Sequence, residues 1–147
     1  MNWIYENKEV KSLFDIPKDN PFGFIYKITN VTLNKIYVGK KNFFSTTLKA
    51  LGKKELALIT DKRKSKFKTV KKESDWMTYN SSCKPLLLDL ENGLYEWKKE
   101  IIEIALFPKN LTYLELKYQI LNDVLGVESY NENILGKFYR RDLNKNY

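Results

Sequence analysis

Two apolar-rich runs stand out early in the chain, Gly23-Phe-Ile-Tyr-Lys-Ile-Thr-Asn30 and Lys35-Ile-Tyr-Val-Gly-Lys40. Both are rich in β-branched and aromatic residues, and the interval Val31-Thr-Leu-Asn34 between them predicts an antiparallel hairpin with a short loop. A loop over Asn30–Leu33 would set Tyr26 directly opposite Tyr37, two phenols on one face of one sheet. By itself such a pair is equally a cross-strand aromatic contact that only packs. Upstream, Trp3, Ile4, Val10, Leu13 and Phe14 recur among charges, which predicts a short amphipathic helix over 2–14 that Pro17 ends. Pro17-Lys-Asp-Asn-Pro21 is turn chemistry leading into the first strand.

Downstream of Tyr79, Asn80-Ser-Ser82 supplies capping residues for a helix from about Ser82 through Leu90. Pro85 fits its first turn and Asn92-Gly93 its end. Tyr95–Ile104, rich in Trp and Ile, predicts a third strand closed by Pro108, although a helix is also compatible. From Leu111 to Leu125, Leu111, Leu114, Tyr118, Leu121 and Leu125 recur at helical spacing, and Gly126 is the expected terminator. At about 100° per residue, Glu115 falls roughly 80° from the centre of that stripe, at the border of the buried face. Tyr130-Asn-Glu-Asn133 follows, and then a basic tail with Arg140 and Arg141 that is expected to fray.

Charge changes this picture at one place. Between Lys40 and Lys72 there are twelve Lys or Arg against Glu55 and Asp61, a net +10, so the rest of the chain carries about −2 of the total +8. Phe43, Phe44 and Phe67 are interleaved with these cations. The segment reads either as an arm or hairpin that tracks a phosphate backbone, or as a solvated loop whose lysines keep the protein in solution. Its position next to the tyrosine hairpin favours the first reading.

The 147 residues are one domain's worth of chain. Cys83 is the single cysteine, so no intramolecular disulfide forms, and a half-buried small residue is its ordinary role. There is no histidine, which excludes a histidine general base, Ser-His-Asp or Cys-His arrangements, and imidazole zinc sites. Hydrolytic chemistry would have to use Tyr, Lys, Glu or Asp. No stretch approaches a membrane span and the N-terminus lacks signal-peptide character, so a soluble, cytoplasmic protein is expected.

Phe24-Ile25-Tyr26 and Tyr37-Val38-Gly39, a strand apart and followed by Lys40, resemble the paired signature of the GIY-YIG nucleases, here of the small single-domain kind found in phages or mobile elements. The family is named for Gly-Ile-Tyr and Tyr-Ile-Gly tripeptides on adjacent strands and cuts phosphodiesters with a divalent metal. Here Phe24 takes the place of the first glycine, with Gly23 one position earlier, and Val38 that of the second isoleucine. The resemblance implies an α+β fold: a small antiparallel three-stranded sheet flanked by helices, with a basic insertion after strand 2. It divides a single domain of residues 1–147 into an extension at 1–21, a core at 22–133, an insertion at 41–75 and a tail at 134–147.

By matched position, the resemblance gives Tyr26, Tyr37, Lys40, Glu115 and Asn131 the family's functional places. Tyr26 would be the general base, Tyr37 its orienting partner, Lys40 the phosphate or pKa-tuning cation, and Asn131 a group positioning the glutamate or the substrate. Glu115 would hold one hard cation, most simply Mg²⁺, with Mn²⁺ as the other candidate. The family's arginine falls where this chain has Thr47. Arg63 is the candidate by elimination, with Lys41 or Lys64 as substitutes, and lysine lacks guanidinium's bidentate grip on phosphate. Lys41, Lys62, Arg63, Lys64, Lys66 and Lys68 would bind the nucleic acid, DNA by resemblance, with RNA open and a dimer compatible. Two other classes compete: a catalytically inactive nucleic-acid-binding protein on the same scaffold, and a basic protein that inhibits an acidic partner.

Overall fold

A computed structural model describes residues 1–126 and 128–143. The central strand is β3 (Gly23–Asn30), paired antiparallel with β4 (Lys35–Asn42) on one side and β7 (Trp97–Ala105) on the other. Both faces of β3 are covered, which is why its sequence is nearly continuously apolar instead of alternating. Phe24, Tyr26 and Ile28 point into one cluster with Trp3, Trp76 and Leu86; Ile25 points into a second with Val38, Leu111 and Leu114.

The sheet has five strands and is mixed, in the order β2-β1-β7-β3-β4, where the sequence predicts three antiparallel ones. The two extra strands come from the segment expected to be a helix. β1 (Trp3–Tyr5) runs parallel to β7 and turns back into β2 (Lys8–Glu9). Glu6 and Asn7 both adopt left-handed backbone (φ 49° and 64°), the geometry of a two-residue hairpin turn. The apolar spacing lapses between Tyr5 and Val10, so no continuous helical stripe competes, while Trp3 gains full burial and donates its indole N–H to the Trp76 carbonyl at 2.7 Å. Only Leu13–Asp15 winds into a 3₁₀ turn, capped by Ser12.

The hairpin register also differs from expectation. Asn30 pairs with Lys35, so Tyr26 faces Gly39 and Tyr37 faces Ile28. The turn is Val31–Asn34 because Asn34 adopts left-handed backbone (φ 52°) and the Asn30 side chain caps the Leu33 amide at 3.0 Å. Tyr26 and Tyr37 remain on one face as a diagonal pair, since a two-residue shift preserves facing.

The basic segment is an ordered hairpin of β5 (Phe44–Ala50) and β6 (Phe67–Glu73), with the short helix α1 (Lys53–Ala57) between them. Its strands are exposed along most of their length. The helix α2 (Lys84–Glu91) starts at Cys83 and stops at Asn92, with Gly93 at φ 70°. The helix α3 spans Pro108–Leu121 and ends short of the expected Leu125, because Asn122 caps it and Asp123 turns left-handed at φ 49°. Pro108, expected as a strand terminator, also opens α3, where a missing N–H is harmless.

After α3 come β8 (Asn133–Ile134), β9 (Phe138–Tyr139) and the single-turn helix α4 (Arg140–Leu143). Arg140, expected to fray, is anchored: its guanidinium donates to the carbonyls of Val124, Ser129 and Asn131 at 3.1–3.3 Å. Residues 144–147 of the expected tail lie outside the described residues. No helix among the described residues is long and apolar enough to cross a membrane.

Candidate active site at the edge of the sheet

β4 is the last strand of the sheet, and its free edge is where the site is built. The chain after α3 lies along that edge. The Ile36 amide donates to the Glu128 carbonyl at 3.2 Å, and the Tyr130 amide to the Ile36 carbonyl at 2.7 Å. The Asn131 side chain then takes over the ladder. Its Oδ1 accepts from the Val38 amide and its Nδ2 donates to the Val38 carbonyl, both at 2.9 Å. Ser129 Oγ donates to Asn131 Oδ1 at 3.1 Å and accepts the Asn131 amide at 2.9 Å, fixing the carboxamide from behind. Asn131 therefore holds the strand that carries Tyr37 and Lys40, with its hydrogen-bonding capacity largely used on backbone.

Tyr37 and Tyr26 stack with ring centroids 6.0 Å apart, and Tyr79 meets Tyr26 edge-on at 6.1 Å. The stack depends on Gly39. A Cβ there would fall 2.7 Å from the Tyr26 hydroxyl oxygen and 2.8 Å from Tyr37 Cε1. Gly39 is thus needed for space, since its backbone is ordinary strand. Tyr26 is only 1% exposed, whereas Tyr37 lines a cleft of about 490 Å³ together with Cys83, Lys84, Glu115, Gln119 and Asn131.

Burial is the main influence on the phenols. Tyr26 is driven well above the ordinary range, first by desolvation and then by the nearby Tyr37, Tyr79 and Glu115. Tyr37 is pushed up to about 12, again by burial first, with Cys83, Tyr79 and Glu115 adding to it and a hydrogen bond with Tyr26 opposing. In the protein alone both phenols hold their protons, so work as a base requires positive charge brought into the cleft.

Glu115 reaches the cleft from α3, on the opposite face of the sheet from the tyrosines, by passing the edge strand. Its carboxyl is raised by burial, against the pull of the Lys40 ammonium and backbone amide. The Lys40 Nζ stands 3.8 Å from Glu115 Oε1 and 3.4 Å from Thr112 Oγ1, a long ion pair that leaves the carboxylate capacity for another partner. One turn further along α3, Gln119 is buried; its Nε2 donates to the Val38 carbonyl at 3.1 Å while its Oε1 has no partner.

These donors suit the divalent cation that the sequence resemblance implies. Among the described residues no group of three His, Cys, Asp or Glu side chains could hold a metal. A single half-buried carboxylate, one helical turn from an orphaned amide oxygen, is a donor set for a hard ion that keeps most of its waters.

The structure thus brings Tyr37, Glu115 and Asn131 around one cleft, with Tyr26 behind Tyr37 and Lys40 against Glu115. Lys41 does not line the cleft; it is paired with Asp75 at 2.6 Å and lies 3.9 Å over the Tyr79 ring. Arg63 sits in the turn before β6, its side chain 93% exposed and 3.5 Å from Asp61, outside the cleft. Lys62, Lys64, Lys66 and Lys68 share that hairpin; Lys68 pairs with Glu55 at 2.7 Å. The cation that does line the cleft is Lys84, at the first position of α2. The sequence predicts that helix but carries no signal that its start shares a cleft with Tyr37. Gln119 was equally silent, an ordinary polar residue beside a leucine stripe.

A family model described as "Putative endonuclease segE, GIY-YIG domain" matches residues 3–142. Neither a curated protein nor a solved structure gives a significant match. The match spans the tyrosine hairpin, the basic insertion, both flanking helices and the edge-covering loop, and includes the N-terminal strands β1 and β2. The chain belongs to the GIY-YIG nuclease family.

Proposed function

We propose that the protein is a DNA endonuclease that hydrolyses phosphodiester bonds in the cleft at the edge of β4, with Mg²⁺ or Mn²⁺ at Glu115. The observation that carries this reading is the convergence of a phenol, a carboxylate and a lysine from β4, α3 and α2 on one cleft. When bound, the cation supplies charge neutralisation on the scissile phosphate. Glu115 holds it. Tyr26 and Tyr37 act as one stacked pair, Tyr37 facing the cleft and Tyr26 backing it; once positive charge in the loaded cleft has driven one phenolic proton out to solvent, the resulting phenolate accepts the proton of the attacking water. Lys84 supplies the phosphate contact that the family's arginine would make, and Lys40 tunes Glu115 from the α3 side. Arg63 belongs to the exposed hairpin, where with Lys62, Lys64, Lys66 and Lys68 it contacts the DNA backbone away from the reacting bond.

A supercoiled-plasmid nicking assay tests this. Cleavage should require Mg²⁺ or Mn²⁺ and fall at least about a hundredfold in Glu115→Ala and Tyr26→Phe, a loss typical of removing a transition-state contact. Lys84→Ala should lower the cleavage rate, whereas Arg63→Ala should weaken binding and leave cleavage at saturating DNA intact. DNA binding without nicking in either metal would identify a non-catalytic binder on this scaffold. Absence of DNA affinity at low salt would point instead to an acidic protein partner.

A further inference from the structure

Gln119 occupies a position that packing alone does not explain. It lies one helical turn beyond Glu115 on α3 and lines the same cleft, and it is 6% exposed. Its amide orientation is set by the Val38 carbonyl, an acceptor that the donor Nε2 and not the oxygen can face, at 3.1 Å. That choice leaves Oε1 as the free end, with no hydrogen-bond partner. A buried acceptor without a donor is destabilising, because its lost hydration is not replaced. The Val38 carbonyl does not require Gln119, because Asn131 Nδ2 already donates to it at 2.9 Å. The glutamine thus adds little to the strand while leaving an unmet acceptor one helical turn from the site's carboxylate.

We propose that Gln119 is a second oxygen donor of the cation site, its Oε1 fixing the divalent cation or its hydration shell next to Glu115. This rests on the reading of Glu115 as the cation ligand. Residues at positions i and i+4 on a helix share a face, so the two oxygens approach one ion from one element. An amide oxygen is a suitable companion to a single carboxylate for a hard ion, adding a ligand without a second negative charge. The neutral ligand also suits the neighbourhood, since a second carboxylate would push the Tyr26 and Tyr37 phenols further up.

The test is cation binding by the intact protein without DNA, read by Mn²⁺ electron paramagnetic resonance and by Mg²⁺ titration of the Gln and Glu side-chain carbonyl carbons in the NMR spectrum. In the wild type, the Gln119 and Glu115 carbons should shift with one common dissociation constant. Gln119→Met, which keeps the volume and leaves Val38 tied to Asn131, should weaken Mn²⁺ binding about tenfold or more, a loss typical of groups that orient a metal site. Glu115→Gln should weaken it at least as much. An unmoved Gln119 carbon while Glu115 shifts, or unchanged Mn²⁺ affinity in Gln119→Met, overturns the proposal and leaves the Glu115 assignment standing. Failure of the wild type to bind either ion removes both. Should Gln119→Met not fold, the wild-type carbon shifts decide.

Discussion

Placing an alanine at position 39 is the sharpest test of how this site is built. The added methyl would lie 2.7 Å from the Tyr26 hydroxyl oxygen, 2.8 Å from Tyr26 Cζ and 2.8 Å from Tyr37 Cε1, against an ordinary contact of about 3.5–4.0 Å. The Tyr26 ring cannot retreat easily. Tyr26 is held against Trp3 at 5.4 Å, against Phe24 at 6.1 Å and edge-on to Tyr79, and it is fully buried. Overpacking of this kind costs about 1–3 kcal/mol, which for a domain of this size lowers Tm by roughly 2–4 °C per kcal/mol. Urea unfolding of Gly39→Ala gives the stability loss, and near-UV circular dichroism reports the displaced tyrosines. The double variant with Tyr26→Leu, which removes the colliding ring, should recover at least about 1 kcal/mol of the penalty through coupling between neighbours. A Gly39→Ala protein within about 0.5 kcal/mol of wild type, with unchanged near-UV signal and full nicking activity, would refute the view that this glycine exists to seat the tyrosine pair.

Asn131→Leu should destabilise the protein by about 1–3 kcal/mol, because it strands the Val38 amide; hydrogen exchange at that amide should speed up more than at Tyr26 in the sheet interior. Lys99 is buried, donates to the Tyr79 carbonyl at 2.7 Å and Asn80 Oδ1 at 2.9 Å, and has its pKa lowered by burial from 10.5 to about 8. Between those values the unfolded chain binds a proton that the folded one does not. Stability should therefore rise with pH across that window, by up to about 3 kcal/mol, and Lys99→Met should flatten the rise in urea midpoints measured from pH 7 to 10.5. Replacing Lys62, Lys64 and Lys66 by Gln should reduce the slope of log affinity against log salt for duplex DNA by about 2–3; an unchanged slope would separate the hairpin from the backbone contact. Cleavage should increase with pH from 7 to 9, since both phenols are raised; a flat profile with chemistry rate-limiting would exclude a tyrosine base.

The pattern of residues determined the tyrosine hairpin, the third strand, the helix behind Cys83, the helix bearing Glu115 and the concentration of positive charge in one segment. Each depends on local periodicity, capping or composition, which the chain states within a dozen residues. Glu115 at the margin of its leucine stripe was legible for the same reason. Tertiary pairing decided what local pattern could not. Residues 3–9 became strands because β7 offered an unpaired edge and Trp3 a core, and the hairpin register followed the Asn30 cap and the left-handed Asn34 in place of a symmetric loop.

The site shows the same division. Tyr26 and Tyr37 share a face in any register shifted by two, so they are neighbours in the expected pairing and in the observed one. Lys84 and Gln119 could not be found from the sequence, because their roles lie beside Tyr37 and Val38 of β4, 47 and 81 positions away in the chain, and Arg140 is fixed by carbonyls of the loop covering that strand. A lysine opening a helix or a glutamine next to a leucine stripe has many equivalent surroundings in an unfolded sequence. Packing β4 at the edge of the sheet, with α2 on one side and α3 on the other, selects one.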